Sequence, residues 1–132
     1  MNRRTLTMTA LLLILLPVPM ADALDAGELV NGKWSLDGKQ TNHIGTSDEH
    51  EYDYHYVRTW ALHEGVLFVN GTEYEETKVR GDVIEAVYRS DDQWKKIRIR
   101  FIDRDTVEYK ETGENDAFGS YSVSAKGARK TG

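Results

Sequence analysis

The chain has 132 residues, with 17 lysines and arginines against 22 aspartates and glutamates, 4 histidines and no cysteine. The net charge of −5 and the lack of a basic stripe argue against nucleic acid as a partner. The missing cysteines exclude disulfides, a thiolate metal site and the cysteine-linked lipid anchor of exported bacterial proteins, and the length allows one domain with one core.

Arg3 and Arg4 precede the apolar run Leu11-Leu12-Leu13-Ile14-Leu15-Leu16. Pro17 and Pro19 break it, and Ala21-Asp22-Ala23 puts small residues at both positions of an A-x-A cleavage site. This basic, apolar and small-residue order is that of a secretory signal, so residues 1–23 are expected to be a signal peptide. The apolar stretch is well short of the ~20 residues a spanning helix needs, so no stable membrane insertion is expected. Removing Arg3, Arg4 and Asp22 takes 17 basic and 22 acidic residues to 15 and 21, a net charge of −6. A small exported domain without disulfides fits a bacterial periplasm, or secretion, better than the animal extracellular space.

After the signal, residues 25–30 are expected to form a short helical turn. From Lys33 the pattern has period two, with Trp34 and Leu36 alternating against Lys33 and Ser35. The next clear run is residues 52–62. Tyr52, Tyr54, Tyr56, Arg58, Trp60 and Leu62 share one face, and Glu51, Asp53, His55, Val57, Thr59 and Ala61 the other. Glu64-Gly65 turns the chain into residues 66–69. Asn70-Gly71 is a strong hairpin signal, because both central positions of a type I′ turn need positive φ. Residues 72–79 return, Gly81-Asp82 leads into residues 83–89, and Ser90-Asp91-Asp92-Gln93 is a polar turn. Residues 94–102 place Ile97, Ile99 and Phe101 together, and residues 106–111 pair Val107 with Tyr109. A loop is expected at residues 112–116, where Gly, Asn and Asp cluster. The last strand is expected at residues 117–125, and residues 126–132 are read as a flexible basic tail.

Roughly eight to nine strands joined by hairpin-length turns suit an antiparallel up-and-down β-barrel, which removes open sheet edges by closing on itself. The expected domain is residues 24–125. Its opening, Gly32-Lys33-Trp34 on the first strand followed by a run of hairpins, resembles the lipocalin-like group of the calycin superfamily, and among these the small bacterial lipocalin-like barrels. The resemblance implies a barrel whose Trp34 plugs the closed end and whose open end admits a small apolar ligand. The C-terminal helix, disulfide and greater length of a typical transport lipocalin are missing.

Three constellations carry chemistry. The stripe of Tyr52, Tyr54, Tyr56 and Trp60 with Arg58 would bring phenols and a guanidinium inside, where each needs a partner or a wet cavity. A polar-lined pocket with one cation suits a ligand with an apolar body and an anionic head. The bland alternative is tyrosines that pack structurally while Arg58 pairs with a carboxylate or reaches the barrel mouth. His43, His50, His55 and His63 lie near Asp48, Glu49, Glu51 and Asp53 but match no closed metal motif, so a solvated acidic loop is the simpler reading. No Gly-x-Ser-x-Gly elbow, phosphate-binding glycine loop or assignable carboxylate pair appears, so no enzyme and no cofactor are expected.

The sequence therefore leads to an exported lipocalin-like module holding a small amphipathic molecule among Trp34, Tyr52, Tyr54, Tyr56, Arg58 and Trp60. Two rivals remain: an inhibitor or adaptor meeting an envelope protein through its surface loops, with residues 48–53 facing a basic partner, and a metal-handling protein using the histidines.

Overall fold

The computed structural model describes residues 23–44, 48–117 and 119–131. The expected signal peptide, apart from Ala23, lies outside the described residues. The described residues form one helix and nine strands: α1 (Ala26–Leu29), β1 (Gly32–Ile44), β2 (Asp48–His63), β3 (Val66–Val69), β4 (Thr72–Glu73), β5 (Glu75–Arg80), β6 (Val83–Arg89), β7 (Gln93–Asp103), β8 (Thr106–Asn115) and β9 (Gly119–Arg129). No helix among the described residues is long and apolar enough to cross a membrane.

The strands form one antiparallel sheet in the order β4-β3-β2-β1-β9-β8-β7-β6-β5. Apart from β1 beside β9, sheet neighbours are chain neighbours. The molecule is thus the expected all-β, up-and-down barrel, and it is nearly closed. The two outermost strands, β4 and β5, are parts of one chain segment interrupted at Tyr74. There the Tyr74 amide donates to the Leu67 carbonyl at 2.9 Å. The Leu67 amide in turn donates to the Thr77 hydroxyl at 3.0 Å, so a side chain completes the seam where the ladder fails. Asn70 and Gly71 have φ of 51° and 83°, the two positive values a type I′ hairpin demands.

Four sequence boundaries shift. The first strand continues through residues 37–44, and residues 48–53, expected as an acidic loop, open β2. Residues 112–115 belong to β8 rather than a loop. The last strand starts at Gly119 and runs through Lys126 to Arg129, so most of the expected tail is strand. Glycine makes β1 possible at its middle: a Cβ on Gly38 would lie 2.0 Å from the Ser124 carbonyl oxygen and 2.4 Å from the Ala125 Cα.

Period-two alternation turns Trp34, Leu36, Trp60, Leu67, Ile84, Ala86, Ile97, Ile99, Phe101 and Val107 into the barrel, all essentially buried. Fully burying one such side chain is worth about 1.5–3 kcal/mol. An exposed ion pair such as Lys39–Asp53, at 2.6 Å on the outer face, is screened by solvent and contributes little. The core therefore dominates stability.

One end of the barrel is closed. The Asp25 side chain accepts from the Gly27 amide and caps α1, whose Ala26 amide donates to the Gly81 carbonyl. Beneath α1, the Trp34 indole N–H donates to the Val30 carbonyl at 2.9 Å, and its ring meets Phe101 edge-on with centroids 5.5 Å apart. Arg129 lies over the other side of Trp34, 4.4 Å from the ring centroid. Its guanidinium donates to the carbonyls of Leu29, Asn31 and Arg104 and to the Asp105 carboxylate. Trp34 thus sits where the lipocalin-like resemblance puts it, at the closed end.

Candidate functional site

The inward positions change chemistry halfway along the barrel. A column of rings runs up from Trp34 through Trp60 (centroids 5.5 Å apart), Tyr109 (5.9 Å from Trp60), Tyr54 (6.3 Å from Tyr109) and Tyr56 (4.6 Å from Tyr54). The lower members are packed by aliphatic neighbours. The upper ones face a recess at the open end.

The recess has two lobes that share Arg58, Gln93 and Glu111. One, of about 330 Å³, adds Tyr74, Tyr88, Lys95 and Tyr109. The other, of about 240 Å³, adds Gln40, Asn42, Tyr54, Tyr56 and Tyr121. The larger lobe sits at the low end of the ~300–1,000 Å³ range of small-molecule pockets.

Arg58 comes from the inner face of β2. Its guanidinium stacks 4.5 Å above the Tyr56 ring and donates to the Tyr54 hydroxyl at 3.2 Å. It forms no salt bridge among the described residues. Burial alone would lower its pKa, but the Tyr54 and Tyr109 phenols and the Glu111 charge more than offset this, and the net shift is upward.

Glu111 stands on β8 and is only 7% exposed. One carboxylate oxygen accepts from the Tyr109 hydroxyl at 2.5 Å, and the other accepts from the Tyr121 hydroxyl. Tyr121 reaches it because its cross-strand partner is Gly113, and a Cβ there would lie 2.8 Å from the Tyr121 ring. Glu111 too has no salt-bridge partner among the described residues. Burial, followed by the charge of Glu111, pushes the Tyr109, Tyr121 and Tyr74 phenols well up. Burial pushes Tyr54 up to about 12. These four phenols are neutral hydrogen-bond donors at ordinary pH.

The six side chains singled out from sequence divide into three groups. Tyr54, Tyr56 and Arg58 line the recess. Trp34 and Trp60 are fully buried in the core beneath it, because the barrel tapers to a filled end. Tyr52, as exposed at the rim as Tyr56, lines neither lobe. Sequence reading missed Glu111, Tyr121 and Tyr74. The period-two face of Val107 and Tyr109 continues to Glu111, so counting two residues further would have found it.

His43, His55 and His63 lie on the outer face, and His50 is exposed at the rim, stacked on Tyr52. His55 pairs with Asp37 at 3.0 Å, His43 with Glu49 at 3.2 Å and His63 with Glu64 at 3.2 Å. Among the described residues, no three side chains converge into a metal-binding group.

The recess can offer a planar cation, a buried carboxylate, several neutral phenol donors and aromatic faces to one small molecule. No protein-family model matches the chain, and no curated protein does either.

Proposed function

We propose that this protein is an exported, periplasmic or secreted, lipocalin-like binding barrel of the calycin type. It would hold a small amphipathic ligand with an anionic group in the recess at its open end, without chemistry on that ligand. Support for export comes from the order of residues 3–23. Support for the calycin relationship comes from Gly32-Lys33-Trp34 in an up-and-down barrel whose Trp34 is buried at the closed end.

The observation that carries the binding reading is Arg58. It is a half-buried guanidinium lining both lobes, held by an aromatic face and a phenol, with no carboxylate paired to it among the described residues. The surrounding phenols and the Glu111 charge keep it a cation despite its partial burial, so it stands ready for an anionic group that enters the recess. Such a pairing is a charge-assisted hydrogen bond, which a planar fork makes well.

The test uses two anionic probes, dodecanoate and anilinonaphthalene sulfonate, followed by calorimetry and native mass spectrometry. Both are expected to bind the wild type, and Arg58→Gln is expected to weaken them about tenfold. Failure of both probes to bind, or equal binding by the variant, overturns the reading.

A further inference from the structure

Glu111 plays no part in recognising an anion, yet it faces both lobes beside Arg58. A carboxylate offers about four lone-pair directions. The Tyr109 and Tyr121 hydroxyls occupy two of them. Both donors are neutral, so the charge is solvated but not balanced by an ion pair among the described residues. Tyr74, Tyr88 and Tyr109 line the larger lobe with Glu111, and aromatic side chains attract ammonium groups.

Resting on the binding reading above, we propose that the ligand is a small zwitterion of amino-acid size. Its ammonium group sits against Glu111, and its carboxylate or other anionic group sits against Arg58, with Lys95 beside it in the larger lobe. A ligand with an anion alone would meet repulsion from Glu111. A ligand with a cation alone would meet Arg58 and Lys95. Only a molecule carrying both signs finds each of its charges opposed. The cavity of about 330 Å³ suits such a molecule and leaves its side chain against the tyrosine rings.

Three probes of one skeleton separate the contributions: phenylalanine carries both charges, hydrocinnamate lacks the ammonium and phenethylamine lacks the carboxylate. Calorimetry on the intact wild-type barrel is expected to show phenylalanine binding about tenfold tighter than either. Glu111→Gln should reduce phenylalanine to the level of hydrocinnamate, and Arg58→Gln should reduce it to that of phenethylamine. The wild-type comparison stands even if Glu111→Gln fails to fold. Tyr121→Phe, which keeps the carboxylate, should retain the preference for phenylalanine over hydrocinnamate.

Equal binding of phenylalanine and hydrocinnamate overturns the zwitterion while leaving the anion reading intact. Failure of all three probes also overturns it. In that case binding of dodecanoate and anilinonaphthalene sulfonate decides separately whether the recess is an anion site at all.

Discussion

Two tryptophans in one core differ in how their indole N–H is served. The Trp34 indole N–H is satisfied by the Val30 carbonyl, whereas the Trp60 indole N–H is buried without a partner among the described residues. Replacing either by Phe leaves a similar cavity, but only Trp34→Phe strands a buried carbonyl. Trp34→Phe should therefore cost about 1 kcal/mol more than Trp60→Phe in urea unfolding. Equal losses would mean the bond to Val30 contributes nothing net. The buried phenols give a second residue-level outcome. The Tyr54 pKa rises from 10.0 to about 12 on folding. Between those values the unfolded chain releases a proton that the folded chain keeps, so stability is complete below about pH 10 and falls as pH rises towards about 12. Tyr74, Tyr109 and Tyr121 shift in the same direction and deepen the fall. Urea midpoints measured across that window should decline, and Tyr54→Phe should make the decline shallower.

Among the elements, the segment from β4 to β5 is the one on which closure rests. Its weak point is the amide of buried Leu67, whose partner is a side chain, the Thr77 hydroxyl. Thr77→Val keeps the shape and removes the acceptor, so a loss of about 1–3 kcal/mol is expected in denaturant unfolding. An unchanged midpoint would show that the seam is held elsewhere. Above the seam β2 pairs with β1 alone, because β3 reaches only Trp60, Ala61, Leu62 and His63, and Asn70 bonds to Thr59. The rest of that edge is flanked by exposed Glu49, Glu51 and Asp53, charges of the kind that discourage another strand from adding.

These elements also explain what could be read in advance. The hairpin at Asn70-Gly71, the inward face of β2 and the Ile97, Ile99, Phe101 set were legible, because a dry core imposes apolar alternation and a tight turn imposes Gly or Asn. Residues 37–44 were not, since Gly38, Gln40 and Asn42 carry the inward face of β1 where it borders the polar recess. The alternation fades where the barrel stops being dry. Glu111 was hidden for a different reason. Its period-two position beyond Tyr109 was countable, but that it lines the same recess as Arg58, with β1 and β9 between their two strands, is recorded in no local pattern.

At the scale of the whole molecule, Arg129 ties three remote parts together. It joins the end of β9 to the chain leaving α1, to the β7–β8 turn and to the Trp34 ring. A lysine has one ammonium and no planar fork, so it cannot serve carbonyls on both sides. Arg129→Lys should cost about 2–3 kcal/mol in thermal unfolding and speed hydrogen exchange at the Val30 amide. Retained protection there would show that α1 is held by its packing alone.

The Lys130 amide also donates to the Lys33 carbonyl at 2.9 Å, so the described start and finish of the chain lie together at the sealed pole. A bead, sensor surface or fused fluorophore attached at either would leave the mouth pointing away from it. A short peptide bridging them, with the chain reopened at the exposed 90–92 turn, would give a circular permutant in which every strand pairing survives.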